Sequence, residues 1–268
     1  YHAPNAPMMR DVDNPAMVKH AIGWGAMTGV VSAGLAAEGF TGIPSVLGFD
    51  VYQDWVSDIG KNYIVKDGVI WKEKGYACCG WAHAAARGVK ELVEAHDVGL
   101  EEIETVRVEG PDVAVSLGTS LPATTEEAQF NVAWPVAAML VDGEVGPAQT
   151  SESRLDDPAM RQVARKVTLE ETEEMNRLCR LFEQGDPDGC FAGRVTLVLR
   201  NGATLESGLV KGSSHYPNLG WSREKMDDKF RWLVGFVLDE ERIDELLEMA
   251  WHLEDVPRVC RLTELVRG

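Results

Sequence analysis

The sequence predicts an α+β protein in which an all-helical domain, incomplete in this chain, is interrupted by an α+β lid domain. Three observations carry that prediction. Residues 17–38 scatter Val and Leu through a Gly- and Ala-rich run that includes Gly23, Gly25, Gly29 and Gly34, the pattern of a buried helix in a bundle. Residues 103–109 alternate apolar and polar at period two, and residues 194–199 do the same before Asn201-Gly202 and residues 204–207. Helical periodicity then returns after Ser222. The helical domain is therefore assigned to residues 1–73 and 219–268, and the lid to residues 74–218. A crevice between two such domains is the expected place for a small ligand.

Taken in order, residues 1–16 contain Pro4, Pro7 and Pro15 and read as an extended arm. The glycines of residues 17–38 lower helix propensity, so a helix there has to be stabilised by close packing. Residues 45–58, with Phe49, Tyr52, Trp55 and Val56, form a shorter helical or mixed segment. Residues 84–96 form a third helix that stops near Gly99. Residues 126–140 read as one apolar helix, capped by Thr124 or Thr125, carrying Glu126 and Glu127 in its first turn and kinked by Pro135. Residues 157–165 form a short helix with Pro158 at its first position. Residues 193–212 are a hairpin, for which Asn201-Gly202 predicts a type I′ turn. Ser222 caps a last helical region over 225–238 and 240–253, with a final turn to Val266. The acidic stretches 170–174 and 239–245 read as solvated faces.

Bulk properties exclude several functions. A formal net charge of -17, from 43 acidic and 26 basic residues, opposes nucleic acid and anionic membrane surfaces. It leaves open a small anionic substrate, which responds to a local cluster of lysines. Five cysteines (Cys78, Cys79, Cys179, Cys190 and Cys260) show no Cys-x-x-Cys spacing, so neither a disulfide framework nor a zinc site is expected, and a reducing cytoplasm suits them. No His-x-x-x-His, EF-hand loop or dinucleotide fingerprint is present, and no metal or cofactor is expected. No apolar run reaches membrane-spanning length, and no signal peptide is recognised. The sequence starts at Tyr1 rather than Met, so the natural start was removed, lies upstream, or was never part of this polypeptide.

Chemistry concentrates in Lys74-Gly75-Tyr76-Ala77-Cys78-Cys79-Gly80-Trp81-Ala82-His83, a loop running into the third helix. An ammonium next to an imidazole binds a carboxylate and moves a proton on its α-carbon. His83 falls at the helix N-terminus, where the dipole attracts anions and lowers an imidazole pKa. Lys19, in an Ala/Gly helix suited to burial, needs an anionic partner there. Neighbouring His20 points elsewhere around the helix and is the weaker candidate. Cys78 and Cys79 read first as small buried hydrophobes, and Trp134 as core.

Four stretches, in order, resemble the MmgE/PrpD family: the lysine-bearing helix from Met17-Val18-Lys19-His20 through Gly39-Phe40-Thr41-Gly42; Lys74 to His83; Glu127-Ala128-Gln129-Phe130 to Leu140-Val141-Asp142-Gly143; and Lys211-Gly212 with Pro217-Asn218-Leu219 and Lys229-Phe230. The resemblance implies a helical domain with an α+β lid and cofactor-independent work on small di- or tricarboxylates, in which a proton α to a carboxylate is abstracted before dehydration, epimerisation or decarboxylation. It implies catalytic roles for Lys19, Lys74 and His83. It places Cys79 where some members have a catalytic histidine and Trp134 where many have a tyrosine. Cys79, Trp134 and His20 are the corresponding substrate-binding candidates. Gly75 and Ala77 replace the family's prolines, which loosens the loop. The family also has a long helical region before its lysine helix. A second polypeptide supplying that region, in a hetero-oligomer built on a dimer, is the expected partner, and the alternative is a non-catalytic scaffold or lid subunit.

Overall fold

The computed structural model describes residues 12–17, 22–57, 59–61, 74–214 and 222–267. Lys19 and His20 lie outside the described residues, as does most of the expected N-terminal arm. Backbone contacts divide the chain into two compact units, one ending at Asn218 and the other running from Leu219 to Gly268.

The first unit begins with helix α1 (Ile22–Ala37), then two 3-10 turns and the short α2 (Gln53–Val56). Helix α1 forms where the Gly/Ala pattern predicts, but none of its residues is buried. Trp24, Met27, Val30 and Leu35 are all exposed, so the expectation of burial is not met among the described residues. An uncharged helix of this kind shows apolar surface on every side.

Helix α3 (His83–His96) follows a 3-10 turn at Gly80–Ala82. It buries His83, Ala84, Ala85, Ala86, Gly88, Val89 and Leu92, a stripe at three- and four-residue spacing. The helix ends at Asp97, which adopts a left-handed φ of 49° and donates its N–H to Val93 O at 3.0 Å. Strand β1 (Ile103–Gly110) comes next, then α4 (Asp112–Val115), α5 (Thr125–Gln129), α6 (Ala133–Asp142) and α7 (Pro158–Ala164). Strand β2 (Val167–Glu171), α8 (Glu173–Glu183), β3 (Cys190–Leu199), β4 (Thr204–Glu206) and β5 (Val210–Ser214) complete it.

The five strands form a mixed sheet in the order β2-β1-β3-β4, with β5 paired to the first half of β3. Strand β2 runs parallel to β1, from Val106↔Val167 to Gly110↔Glu171, and the other pairs are antiparallel. Helix α3 packs on β3 and β5, α6 packs on α3 and α7, and α8 packs on β3. The core under α3, α6 and α7 contains Val89, Ile103, Val106, Trp134, Val195 and Leu197, while α8 packs in separate clusters with Cys190, Phe191 and Ala192. Full burial of each such aliphatic side chain contributes roughly 1.5–3 kcal/mol. With strands and helices in one mixed layer arrangement, the chain is α+β.

Two local expectations are corrected. The helix expected over 126–140 is two helices, because the chain turns at Phe130–Val132 and restarts with Asn131 Oδ1 accepting from Trp134 N at 2.8 Å. Pro135 is then the third residue of α6, in the first turn, where its missing N–H costs nothing and no kink results. Thr124 is the cap of α5, accepting from Glu127 N at 3.1 Å. The Asn201-Gly202 turn is not type I′, since Gly202 alone of the pair has positive φ, at 84°. Gly202 N donates to Leu199 O at 2.9 Å and Leu199 N to Ala203 O at 2.8 Å, a three-residue loop ending in a left-handed glycine. The glutamates of the acidic stretch 170–174 are exposed, as expected, and belong to the end of β2 and the start of α8, joined at Thr172, whose hydroxyl accepts from Met175 N at 3.4 Å.

The second unit holds α9 (Arg223–Val234), α10 (Glu240–Trp251) and α11 (Cys260–Leu265). Ser222 and Asp239 cap the first two, accepting from Lys225 N at 3.2 Å and Arg242 N at 2.9 Å. Trp251 Nε1 donates to Asp227 Oδ1 at 2.7 Å, and Arg223 lies over the Trp251 ring at 5.0 Å.

Backbone proximity holds α3 on the sheet. A Cβ on Gly212 would stand 2.7 Å from Ala84 N and 3.0 Å from Phe191 O, both backbone atoms without freedom to withdraw. Gly212→Ala is therefore expected to destabilise by about 1–3 kcal/mol. A lowered urea midpoint read by tryptophan fluorescence checks this, and an unchanged midpoint contradicts it.

Candidate functional site

The Lys74–His83 segment is pinned to the core by its backbone. Ala77 N donates to Val145 O at 2.9 Å and Cys79 N to Gln129 O at 2.8 Å. Ala82 N then donates to Cys79 O at 3.0 Å, tightening the chain into the 3-10 turn that delivers His83 to the start of α3. His83 is 1% exposed, and its ring meets Tyr76 edge-on, with centroids 5.1 Å apart. Tyr76 is half-buried. Burial raises the Tyr76 pKa, opposed first by the nearby Arg87 charge. Arg87 in turn donates from Nη1 to Lys211 O on β5 at 2.8 Å.

The two adjacent thiols differ. Cys78 is buried, and desolvation drives its pKa far above the usual thiol range, with Cys79 adding to the rise and Lys74 opposing it. A thiol so held stays protonated and unreactive. Cys79 is half-buried and packs against the core. Cys190 on β3 is likewise raised by burial, with Lys211 opposing.

Trp134 sits beneath this segment with no exposed surface. Its Nε1 donates to Gln149 O at 2.9 Å, and Gln149 Oε1 accepts from Gly146 N at 2.9 Å. Gln149 Nε2 donates to Asp142 Oδ2 at 3.0 Å, and Asp142 receives Arg154 Nη2 on both oxygens at 2.9 and 2.8 Å. Arg154 Nη1 also pairs with Asp157 at 2.9 Å, while Asp157 caps α7 through Ala159 N and Met160 N. This network shapes the 143–150 loop whose Val145 carbonyl holds Ala77. Trp134 is thus a buried residue whose indole donor is taken by the 143–150 loop.

Of the residues singled out in the sequence, His83, Cys78 and Cys79 gather around the start of α3, and Lys74 is exposed at the outer end of the same loop. Tyr76 and Arg87 join them and were not singled out. Arg87 stands four residues after His83, one helical turn along the same face, and that spacing is the signal that points to it. A small crevice beside α3, lined by Trp81, Ala84, Val108, Glu109, Val132 and Ala192, carries no Lys or Arg and so offers a carboxylate no cation. Among the described residues there is no His, Cys, Asp or Glu cluster suited to a metal, and no helix long and apolar enough to cross a membrane.

A model of the MmgE/PrpD C-terminal domain matches residues 76–255. Cis-aconitate decarboxylase of Aspergillus terreus is 27% identical over 72% of this chain and 40% of its own length. The Homo sapiens cis-aconitate decarboxylase is 23% identical over 70% of the chain and 37% of its own. A cis-aconitate decarboxylase-like protein, oryM of Aspergillus oryzae, is 22% identical over 94% of the chain and 54% of its own. The chain thus spans about two-fifths of the length of the first curated relatives it matches.

Two measurements check this geometry. Trp134→Phe removes the donor to Gln149 O inside the core, and a stability loss of about 1–3 kcal/mol is expected in urea unfolding. Iodoacetamide at about pH 8 should label exposed Cys260 and leave Cys78 unmodified by peptide mass spectrometry. The raised Cys78 pKa also sets a pH dependence. Its stabilising contribution is complete below the unfolded thiol pKa, about 8.5, and is lost as pH rises from there toward the higher native value. Cys78→Ala should therefore flatten the alkaline fall in the urea midpoint.

Proposed function

This chain belongs to the MmgE/PrpD family, and from that premise we propose that it forms part of a cofactor-independent lyase or isomerase that abstracts a proton α to a carboxylate of a small di- or tricarboxylate. The observation that carries this reading is the family match running from Tyr76 through His83 to residue 255, with relatives named for decarboxylation of a tricarboxylate. Decarboxylation is accordingly the first outcome to test, ahead of dehydration and epimerisation. Lys74, which faces solvent, receives a substrate carboxylate together with Lys19, and the same ammonium charge stabilises the enolate-like anion formed on proton loss. His83 is the group able to exchange a proton near neutral pH, and it is reached when the Tyr76 ring swings aside. In this reading residues 74–218 act as the lid, residues 1–73 and 219–268 belong to the helical domain, and a second polypeptide in a hetero-oligomer supplies further helices. The exposed apolar surface of α1 supports such a partner.

A second reading, a non-catalytic scaffold or lid subunit, is favoured by two observations. By the resemblance, Cys79 falls where some members have a catalytic histidine, and Trp134, which falls where many have a tyrosine, has its indole donor committed to the core.

The experiment is solvent exchange in D2O. The protein, alone and combined with a helical partner polypeptide, is incubated with cis-aconitate, and deuterium incorporation and carbon dioxide release are followed by NMR. Lys74→Ala should cut both by at least about a hundredfold while the unfolding midpoint stays put. Undiminished turnover in that variant would leave only the scaffold reading.

A further inference from the structure

We propose that Tyr76 gates His83: its ring closes over the imidazole in the substrate-free chain, and displacement of that ring is the step that opens the imidazole to a ligand. The inference rests on the reading that His83 serves the reaction, and it adds the residue that controls access to it.

His83 cannot move out to meet a ligand. Its side chain is 1% exposed at the first residue of α3. The next residue, Ala84, lies against the sheet, where a Cβ on Gly212 would stand 2.7 Å from Ala84 N and one on Gly193 3.2 Å from Ala84 Cβ. Sliding or rotating the first turn of α3 to expose the imidazole would drive these surfaces into each other. Ahead of the helix, Ala82 N donates to Cys79 O at 3.0 Å and His83 N to Gly80 O. The imidazole is therefore held in place, and access to it depends on what lies over it.

Tyr76 lies over it edge-on, with ring centroids 5.1 Å apart and planes at 73°. Unlike His83, Tyr76 is only half-buried, so part of it already meets water. On one side of it the backbone is fixed, with Ala77 N donating to Val145 O at 2.9 Å and Cys79 N to Gln129 O at 2.8 Å. On the other side stands Gly75, where an added Cβ would meet nothing within 4 Å. Rotation of the Tyr76 side chain thus moves the cover while the chain beneath it stays tied. An edge-on ring pair is a contact weak enough to break and re-form. Such a cover keeps bulk water from the imidazole until a ligand displaces the ring.

Diethyl pyrocarbonate, which acylates accessible imidazoles, tests the proposal on the intact, substrate-free chain, with peptide mass spectrometry reading each histidine separately. In the unaltered protein His83 should react far more slowly than exposed His96 and His252. Tyr76→Ala should speed His83 by about tenfold, the scale of one edge-on ring pair, and leave His96 and His252 as they were. Tyr76→Phe, which keeps the ring, should stay slow. Buried Cys78 is the internal control, and iodoacetamide should leave it unlabelled in every variant because only the ring cover is lost. Unchanged His83 reactivity in Tyr76→Ala overturns the proposal, as does a rate in the unaltered protein equal to that of His96. Labelling of Cys78 along with His83 also overturns it, since the whole loop would then have lifted. If Tyr76→Ala fails to fold, Tyr76→Leu decides, because its narrower side chain should give a smaller rise in the same direction. No substrate is used, so the result separates from the reaction reading: His83 unshielded without measurable turnover leaves this inference standing, and turnover with His83 equally shielded in both proteins removes it.

Discussion

Close approach of helix α3 to the β3–β5 pair is the constraint on which the rest of the molecule depends. Ala84 abuts Gly193 and Gly212, and a Cβ on Gly88 would stand 2.7 Å from Val195 Cγ2. Small residues on both surfaces remove the side-chain layer that ordinarily separates a helix from a sheet. Dispersion and desolvation then act between backbones and short side chains over the whole length of the stripe. The position of His83 follows from this packing, since the first turn of α3 has no room to slide or rotate. Loop, strand and helix are consequently arranged around one fixed point.

The loop preceding that helix is supported from two directions. On one side stand the backbone bonds to Gln129 and Val145, and the second of these is backed by the Trp134–Gln149–Asp142–Arg154 network. On the other stands the half-buried Tyr76 ring, edge-on to His83. The first support runs through buried Trp134 and Gln149, whose hydrogen bonds are costly to break. The second is a ring contact partly open to water, which yields more readily. A segment held firmly from below and lightly from above can change its upper surface without disturbing the core.

Much of the architecture was legible from local pattern. The period-two run at 103–109 became β1, the turn signal at Gly202 closed a hairpin, the caps at Thr124 and Ser222 formed, and Pro158 opened α7. Strand β2 was not legible, because only Val167 and Leu169 turn inward on a short edge strand that ends in two glutamates. Helix α8 was hidden for a different reason: its charged first turn masked an apolar stripe of Met175, Leu178, Cys179 and Phe182 at regular helical spacing. For the candidate site, the sequence pointed to the Lys74–His83 segment. It did not reveal that Tyr76 covers His83, nor that Arg87 meets β5 124 residues away in the chain. Contacts of that range leave no periodic trace. What covers α1 was not legible, because composition reports how well a helix suits a partner and does not say which chain supplies one.

The ends of the main sheet path carry a consequence for assembly. One outer strand, β4, is three residues long, and the other, β2, finishes in Glu170 and Glu171. Short or acidic borders offer a poor template for an incoming extended chain, and two such borders brought together would repel. Growth by adding strands side to side, the route to fibrous aggregates, is discouraged at both margins. Higher-order association of this molecule is thereby steered toward contacts made by helical surfaces.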